Sequence, residues 1–159
     1  MEEKEDEMNI SYMDYSPATD SLDIFVSGCA GKPCEGCCNP EILDFNAGMD
    51  WNKWLPQLAR YLAKPLCNMF HRIFLVGGSP NHQNPEDLKK LMYFLKLYNK
   101  EVWLYAREDL NHIQPIFKEN CDYIKCGEYK PELACTGNIQ YGIDLATSNQ
   151  RIYKKGKDY

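Results

Sequence analysis

Residues 21–41 read SLDIFVSGCAGKPCEGCCNPE, an apolar, strand-like run that ends in a Gly- and Pro-containing loop carrying Cys29, Cys34 and Cys37. Three thiolates so closely spaced can hold an iron–sulfur cluster whose fourth iron has no protein ligand. An open metal position separates a reactive centre from a closed structural one. The spacing also leaves open a structural zinc knuckle, with Cys38 or a histidine as fourth ligand.

Working outward, three further apolar runs follow Leu22 to Val26: Arg72 to Val76, Glu101 to Tyr105 and Asp122 to Lys125. They are nearly continuous rather than alternating, the pattern of strands covered on both faces. Helical patterns lie between them. The clearest spans Pro85 to Tyr98, with Asn84 as N-cap, Pro85 at the first helical position, acidic Glu86 and Asp87 in the first turn, and Leu88, Leu91, Met92 and Leu95 on one face. Asp50 to Ala63 and Glu108 to Lys118 are amphipathic too, but Pro56 and Pro115 sit badly inside a helix. Strand and helix in alternation predict right-handed crossovers and an α/β fold with a mainly parallel sheet, open or curled into part of a barrel. Such sheets place ligands at the carboxyl ends of their strands, and the unusual loops all fall there: the thiol loop, Gly77-Gly78-Ser79-Pro80, Ala106-Arg107 and Cys126-Gly127.

Composition sets the setting. With 159 residues, 44% of them hydrophobic, the chain suits one domain with a real core. No run approaches the roughly 18 to 20 apolar residues of a membrane span, so we expect no membrane partner. The start, MEEKEDEMN, lacks the features of a secretory or transit signal, and we expect a cytoplasmic location, where eight cysteines are metal ligands or free thiols rather than disulfides. Residues 1–8 read as an acidic, solvated arm and 154–159 as a basic tail. A net charge of -5 argues against nucleic acid as a partner.

The runs SLDIFVSGCAGKPCEGCCNPEILDFNAG, FLVGGSPNHQNPEDLKKLMYFLKLYNKEVWLYA, CDYIKCGEY and ATSNQRI together resemble the activating enzyme of anaerobic, class III ribonucleotide reductase, over residues 9–153. The resemblance implies a radical S-adenosylmethionine (SAM) domain, a compact, incomplete (β/α) barrel. It further implies a [4Fe-4S] cluster on Cys29, Cys34 and Cys37, and SAM chelated to the free iron. Gly77, Gly78, Ser79, Pro80 and Asn39 would contribute to the SAM site. Reductive cleavage of SAM would give methionine and a 5′-deoxyadenosyl radical, which takes a hydrogen from a glycine of the large reductase subunit. That subunit and a flavodoxin- or ferredoxin-like electron donor are the implied partners. Two other readings stay open: radical SAM chemistry on a different target, and a non-catalytic metal-binding partner module.

Two positions depart from the family pattern. The family spacing is CxxxCxxC, whereas here four residues, Ala30 to Pro33, separate the first two cysteines. Where the family has an acidic residue after the paired glycines, this chain has Ser79. Elsewhere, Arg107 reads as an exposed helix-entry residue, with a cation for the SAM carboxylate or ribose as the lesser alternative, and Cys67, Cys121, Cys126 and Cys135 read as small buried thiols, with a second metal site as the lesser alternative for the last three. His82 lies beside Ser79, while His71 and His112 read as helix-end residues. A serine hydroxyl lacks the charge that roughly doubles a hydrogen bond to an ammonium. Ser79→Glu is therefore expected to tighten SAM binding in equilibrium titration; a fall in affinity would remove this loop from the amine.

Overall fold

The computed structural model describes residues 7–37 and 39–159, so residues 1–6 of the acidic arm, and Cys38, lie outside the described residues. The four apolar runs form parallel strands: β2 (Ser21–Val26), β4 (Arg72–Gly77), β5 (Glu101–Tyr105) and β6 (Tyr123–Cys126), adjacent in that order. The crossovers carry helices α1 (Trp51–Leu62), α2 (Pro85–Lys96) and α3 (Pro115–Asn120).

The sheet is mixed rather than parallel throughout. β1 (Asn9–Ser16) pairs antiparallel with β2 through a short turn, β3 (Met49–Asp50) pairs antiparallel with β1, and β9 (Arg151–Lys154) pairs antiparallel with β6. Seven of the nine described strands thus form one sheet in the order β3-β1-β2-β4-β5-β6-β9. Strands β7 (Ala134–Gln140) and β8 (Ile143–Thr147) form a separate antiparallel hairpin.

Local chemistry sets the helix limits. Asn84 Oδ1 accepts from the N–H groups of Glu86 and Asp87, at 2.9 and 3.2 Å, and the helix after it ends at Lys96, short of Tyr98. The segment expected as a helix from Glu108 does not form one: a single 3-10 turn at Leu110–His112 is followed by α3, with Pro115 in its first turn. Pro115 has no N–H to donate and suits a first turn, so it starts a helix here instead of interrupting one. Pro56 does sit inside α1, which Asp50 caps through Asn52 N–H at 2.7 Å and which buries Trp51, Leu58 and Leu62. That apolar face outweighs the one helical hydrogen bond that Pro56 forgoes.

Strand alternation divides the core in two. Ile24, Ile73, Leu75, Leu104 and Ile124 pack with Leu58, Leu62, Leu88, Leu91, Leu95 and Phe117 from all three helices. Phe74 and Trp103 point the other way and pack with Ile143 and Leu145 of the hairpin and Ile152 of β9. Met8, at the end of the expected arm, is buried in the helical core, and its N–H donates to Asp87 at 2.9 Å. The C-terminal residues turn back onto β6, where the Tyr159 hydroxyl donates to the Cys121 carbonyl at 2.7 Å.

The ends of β2 and β4 touch backbone to backbone. A Cβ on Gly77, whose φ is +113°, would lie 2.6 Å from the Val26 carbonyl oxygen, and one on Gly78 would lie 2.5 Å from that of Gly28. Gly77→Ala combines a left-handed φ with a backbone clash and is expected to cost about 1 to 3 kcal/mol or more, read as a lower thermal midpoint. An unchanged midpoint would contradict this close approach.

Candidate iron–sulfur site

The loops after β2, β4, β5 and β6 converge on one cavity of about 520 Å³ at the carboxyl ends of the parallel strands. Cys29, Cys34, Cys37 and Asn39 line it from the first loop, and Gly77, Gly78 and Ser79 from the second. Val76, Tyr105, Ile143 and Leu145 give it apolar walls. Burial, then the Asp23 carboxylate, push the Tyr105 phenol upward in pKa, so it stands there as a neutral hydroxyl. Pro80 is buried behind the wall, where it opens a 3-10 turn.

The thiol loop is held along its length. Gly28 and Cys29 donate their N–H groups to Ile42 and Leu43 at 2.8 and 3.1 Å, and Cys37 donates to Cys34 at 3.1 Å. The Ser79 N–H donates to the Gly28 carbonyl at 2.7 Å, tying the second loop to the first. Buried Gln83 reinforces that tie, its Nε2 donating to the carbonyls of Ser27, Gly28 and Ser79 at 2.9, 3.2 and 3.0 Å. Ser79 itself is only 3% exposed, and its hydroxyl has no hydrogen-bond partner among the described residues. An unsatisfied buried hydroxyl costs about 1 to 3 kcal/mol, and Ser79 carries it at the cavity lining.

Arg107 is not an exposed helix-entry residue. Half-buried after β5, it reaches across to the thiol loop: Nη2 donates to the Ala30 carbonyl at 2.6 Å, Nη1 to the Lys32 carbonyl at 2.7 Å, and Nη1 approaches Cys34 Sγ at 3.9 Å. Next to it, Glu108 Oε1 accepts from His82 Nε2, and His82 Nδ1 accepts the Ala30 N–H at 2.9 Å. Burial alone would raise the Glu108 carboxyl, but the His82 hydrogen bond holds it below its usual range. The Cys29 thiol first, then Glu108, push the His82 imidazole up to about 9. The bond from Ala30 requires the neutral ring, and taking up a second proton breaks it. His71 and His112 lie elsewhere, paired with Asp20 and Asp109 at 2.7 and 2.6 Å.

Among the described cysteines, Cys29, Cys34 and Cys37 are free and half-buried at the cavity edge, and Cys121 and Cys126 are buried, just before β6 and at its end; Cys67 and Cys135, expected to be buried, are only half-buried. Among the described residues no three Cys, His, Asp or Glu side chains converge tightly enough to hold a single metal ion, whether in the thiol loop or around Cys121, Cys126 and Cys135. For the thiol loop the donor set itself is the test. Three soft sulfur donors at the rim of an open cavity, with a guanidinium against one of them, suit a thiolate-held cluster, whose several irons spread its ligands wider than one ion does.

The sequence matches the family described as the 4Fe-4S single cluster domain over residues 21–152, from the start of β2 into β9. The chain belongs to this family. The match points to an iron–sulfur, radical-SAM-like family that carries a [4Fe-4S] cluster. No curated protein matches the sequence. The match reaches the Ser148-Asn149-Gln150-Arg151 turn, which carries buried Gln150 to the cavity, where it caps Thr147 N–H at 3.2 Å.

Burial lifts the Cys121 thiol far above its ordinary value and pushes Cys126 up to about 12, leaving almost no thiolate at neutral pH. In the cluster-free native protein, iodoacetamide is expected to label Cys29, Cys34 and Cys37 at least about 10-fold faster than Cys121 and Cys126, read by peptide mass spectrometry. Equal labelling of Cys121 would contradict this division.

Proposed function

We propose that the chain is a radical SAM activating enzyme that installs a glycyl radical on the large subunit of an anaerobic, class III ribonucleotide reductase. The observation that carries this reading is that the thiol loop and the Gly77-Gly78-Ser79 loop open onto one cavity, joined by the Ser79–Gly28 hydrogen bond. In this reading Cys29, Cys34 and Cys37 ligate the cluster, and the sheet with its helices on one face is the incomplete barrel of that superfamily.

The cavity volume lies within the roughly 300 to 1,000 Å³ of small-molecule sites. When bound, the reduced cluster supplies the electron that cleaves the sulfonium of SAM. The chain's own residues do the rest. The open backbone at Gly77 and Gly78 and the unsatisfied Ser79 hydroxyl receive the amino-acid end of SAM, with Asn39 beside them. Asp144 and Glu128, which also line the cavity, supply the negative charge that Ser79 lacks toward an ammonium. Val76, Tyr105, Ile143 and Leu145 keep the reacting centre dry. The partner's glycine loop closes the remaining opening, and a flavodoxin- or ferredoxin-like protein in the cytoplasm supplies the electron.

The test is anaerobic reconstitution with iron and sulfide, reduction with dithionite, addition of SAM and mass spectrometry of 5′-deoxyadenosine. The wild-type protein is expected to form the nucleoside, and Cys29→Ala, Cys34→Ala and Cys37→Ala each to abolish it. Mixing with a class III large subunit should then give the doublet signal of a glycyl radical by electron paramagnetic resonance. A fully loaded cluster that cleaves no SAM, even with that subunit present, overturns the proposal.

A further inference from the structure

We infer that Arg107 is a positioning residue for the cluster, fixing the span between Cys29 and Cys34 and easing reduction through its contact with Cys34. The inference rests on the reading of Cys29, Cys34 and Cys37 as cluster ligands.

Four residues separate Cys29 from Cys34, and such a span, with Gly31 at its centre, has many conformations that would scatter the two sulfurs. Arg107 removes that freedom. Its two terminal nitrogens hold the carbonyls of Ala30 and Lys32, which flank Gly31, and a Cβ at Gly31 would already lie 3.4 Å from Nη2. The Ala30 N–H also faces His82 Nδ1, but only the neutral ring can accept it, so the clamp rests on Arg107.

The clamp has a rigid base. Immediately before it, the Ala106 N–H donates to the Lys125 carbonyl of β6 at 2.8 Å, extending the β5–β6 pairing up to the point where Arg107 departs. A planar guanidinium spans two carbonyls and a sulfur in one fixed fork, which a single ammonium cannot reproduce. Reduction adds negative charge at the thiolates, and a fixed cation with an N–H pointing at Cys34 favours that form, raising the potential.

The experiment uses the reconstituted full-length protein and its Arg107→Ala and Arg107→Lys variants. Two quantities are read: the rate of iron loss to a chelator, and the midpoint potential from a redox titration followed by electron paramagnetic resonance. Arg107→Ala is expected to lose iron on the order of 10-fold faster and to show a more negative potential. Arg107→Lys is expected to keep a potential nearer the wild type while still losing iron faster. An Arg107→Ala protein with wild-type iron retention, or with an unchanged potential, overturns the inference. Should that variant not fold, Arg107→Lys decides alone, and wild-type retention there overturns it. A Cys34→Ala protein that still assembles a complete cluster would instead overturn the ligand assignment, a separate failure.

Discussion

The contact between the loops that follow β2 and β4 governs the site. Two parallel strands deliver their chain ends side by side, and the absence of side chains at Gly77 and Gly78 lets those ends meet within hydrogen-bond distance. Once Ser79 N–H is bonded to Gly28, the residue before Cys29 has a fixed place relative to the second loop, and Gln83 locks three carbonyls of the junction at once. Any widening of this seam separates the thiols from the cavity wall opposite them.

Around the seam the division of labour between the two sheet faces is plain. The helices take the aliphatic face, whose buried cluster is the larger of the two and the larger source of hydrophobic stabilisation. Aromatic residues take the other face, with Trp103 stacked on Tyr123 at 4.3 Å and tilted against Phe74 at 5.2 Å. At the carboxyl end of that face the cavity opens, next to well-packed rings rather than on a mobile surface loop.

Much of this was legible in the chain because the relevant signals are local. A buried parallel strand is a short continuous apolar run, so β2, β4, β5 and β6 could be read directly, and the thiol loop declared itself by spacing. β1 was not, because NISYMDYS mixes polar and apolar residues, as an antiparallel strand near the sheet margin tolerates. Of the hairpin strands, ACTGNIQ buries no residue and IDLAT only alternate ones, so both carry little apolar signal. The contacts of Arg107 and Glu108 were not legible for a different reason. The partners of Arg107 lie 73 to 77 residues away, and no periodicity marks a side chain whose role is set by which loop folds over it. Gln83 is similar, its single amide reaching carbonyls 55 and 56 residues earlier.

The hairpin β7–β8 bonds strand to strand only with itself, while Ile143 and Leu145 cover Phe74 and Trp103 and also wall the cavity. Scaffold and seal are thus built from different forces. The parallel sheet is joined by a backbone ladder common to any sequence, whereas the seal over the cavity is side-chain packing with a few polar anchors, among them Ile152 N–H to Gln140 at 2.7 Å. Because Ile143 and Leu145 serve the cavity wall and the core with the same side chains, a change at either alters what the cavity admits and the packing over Phe74 and Trp103 together, while the backbone ladder beneath is untouched.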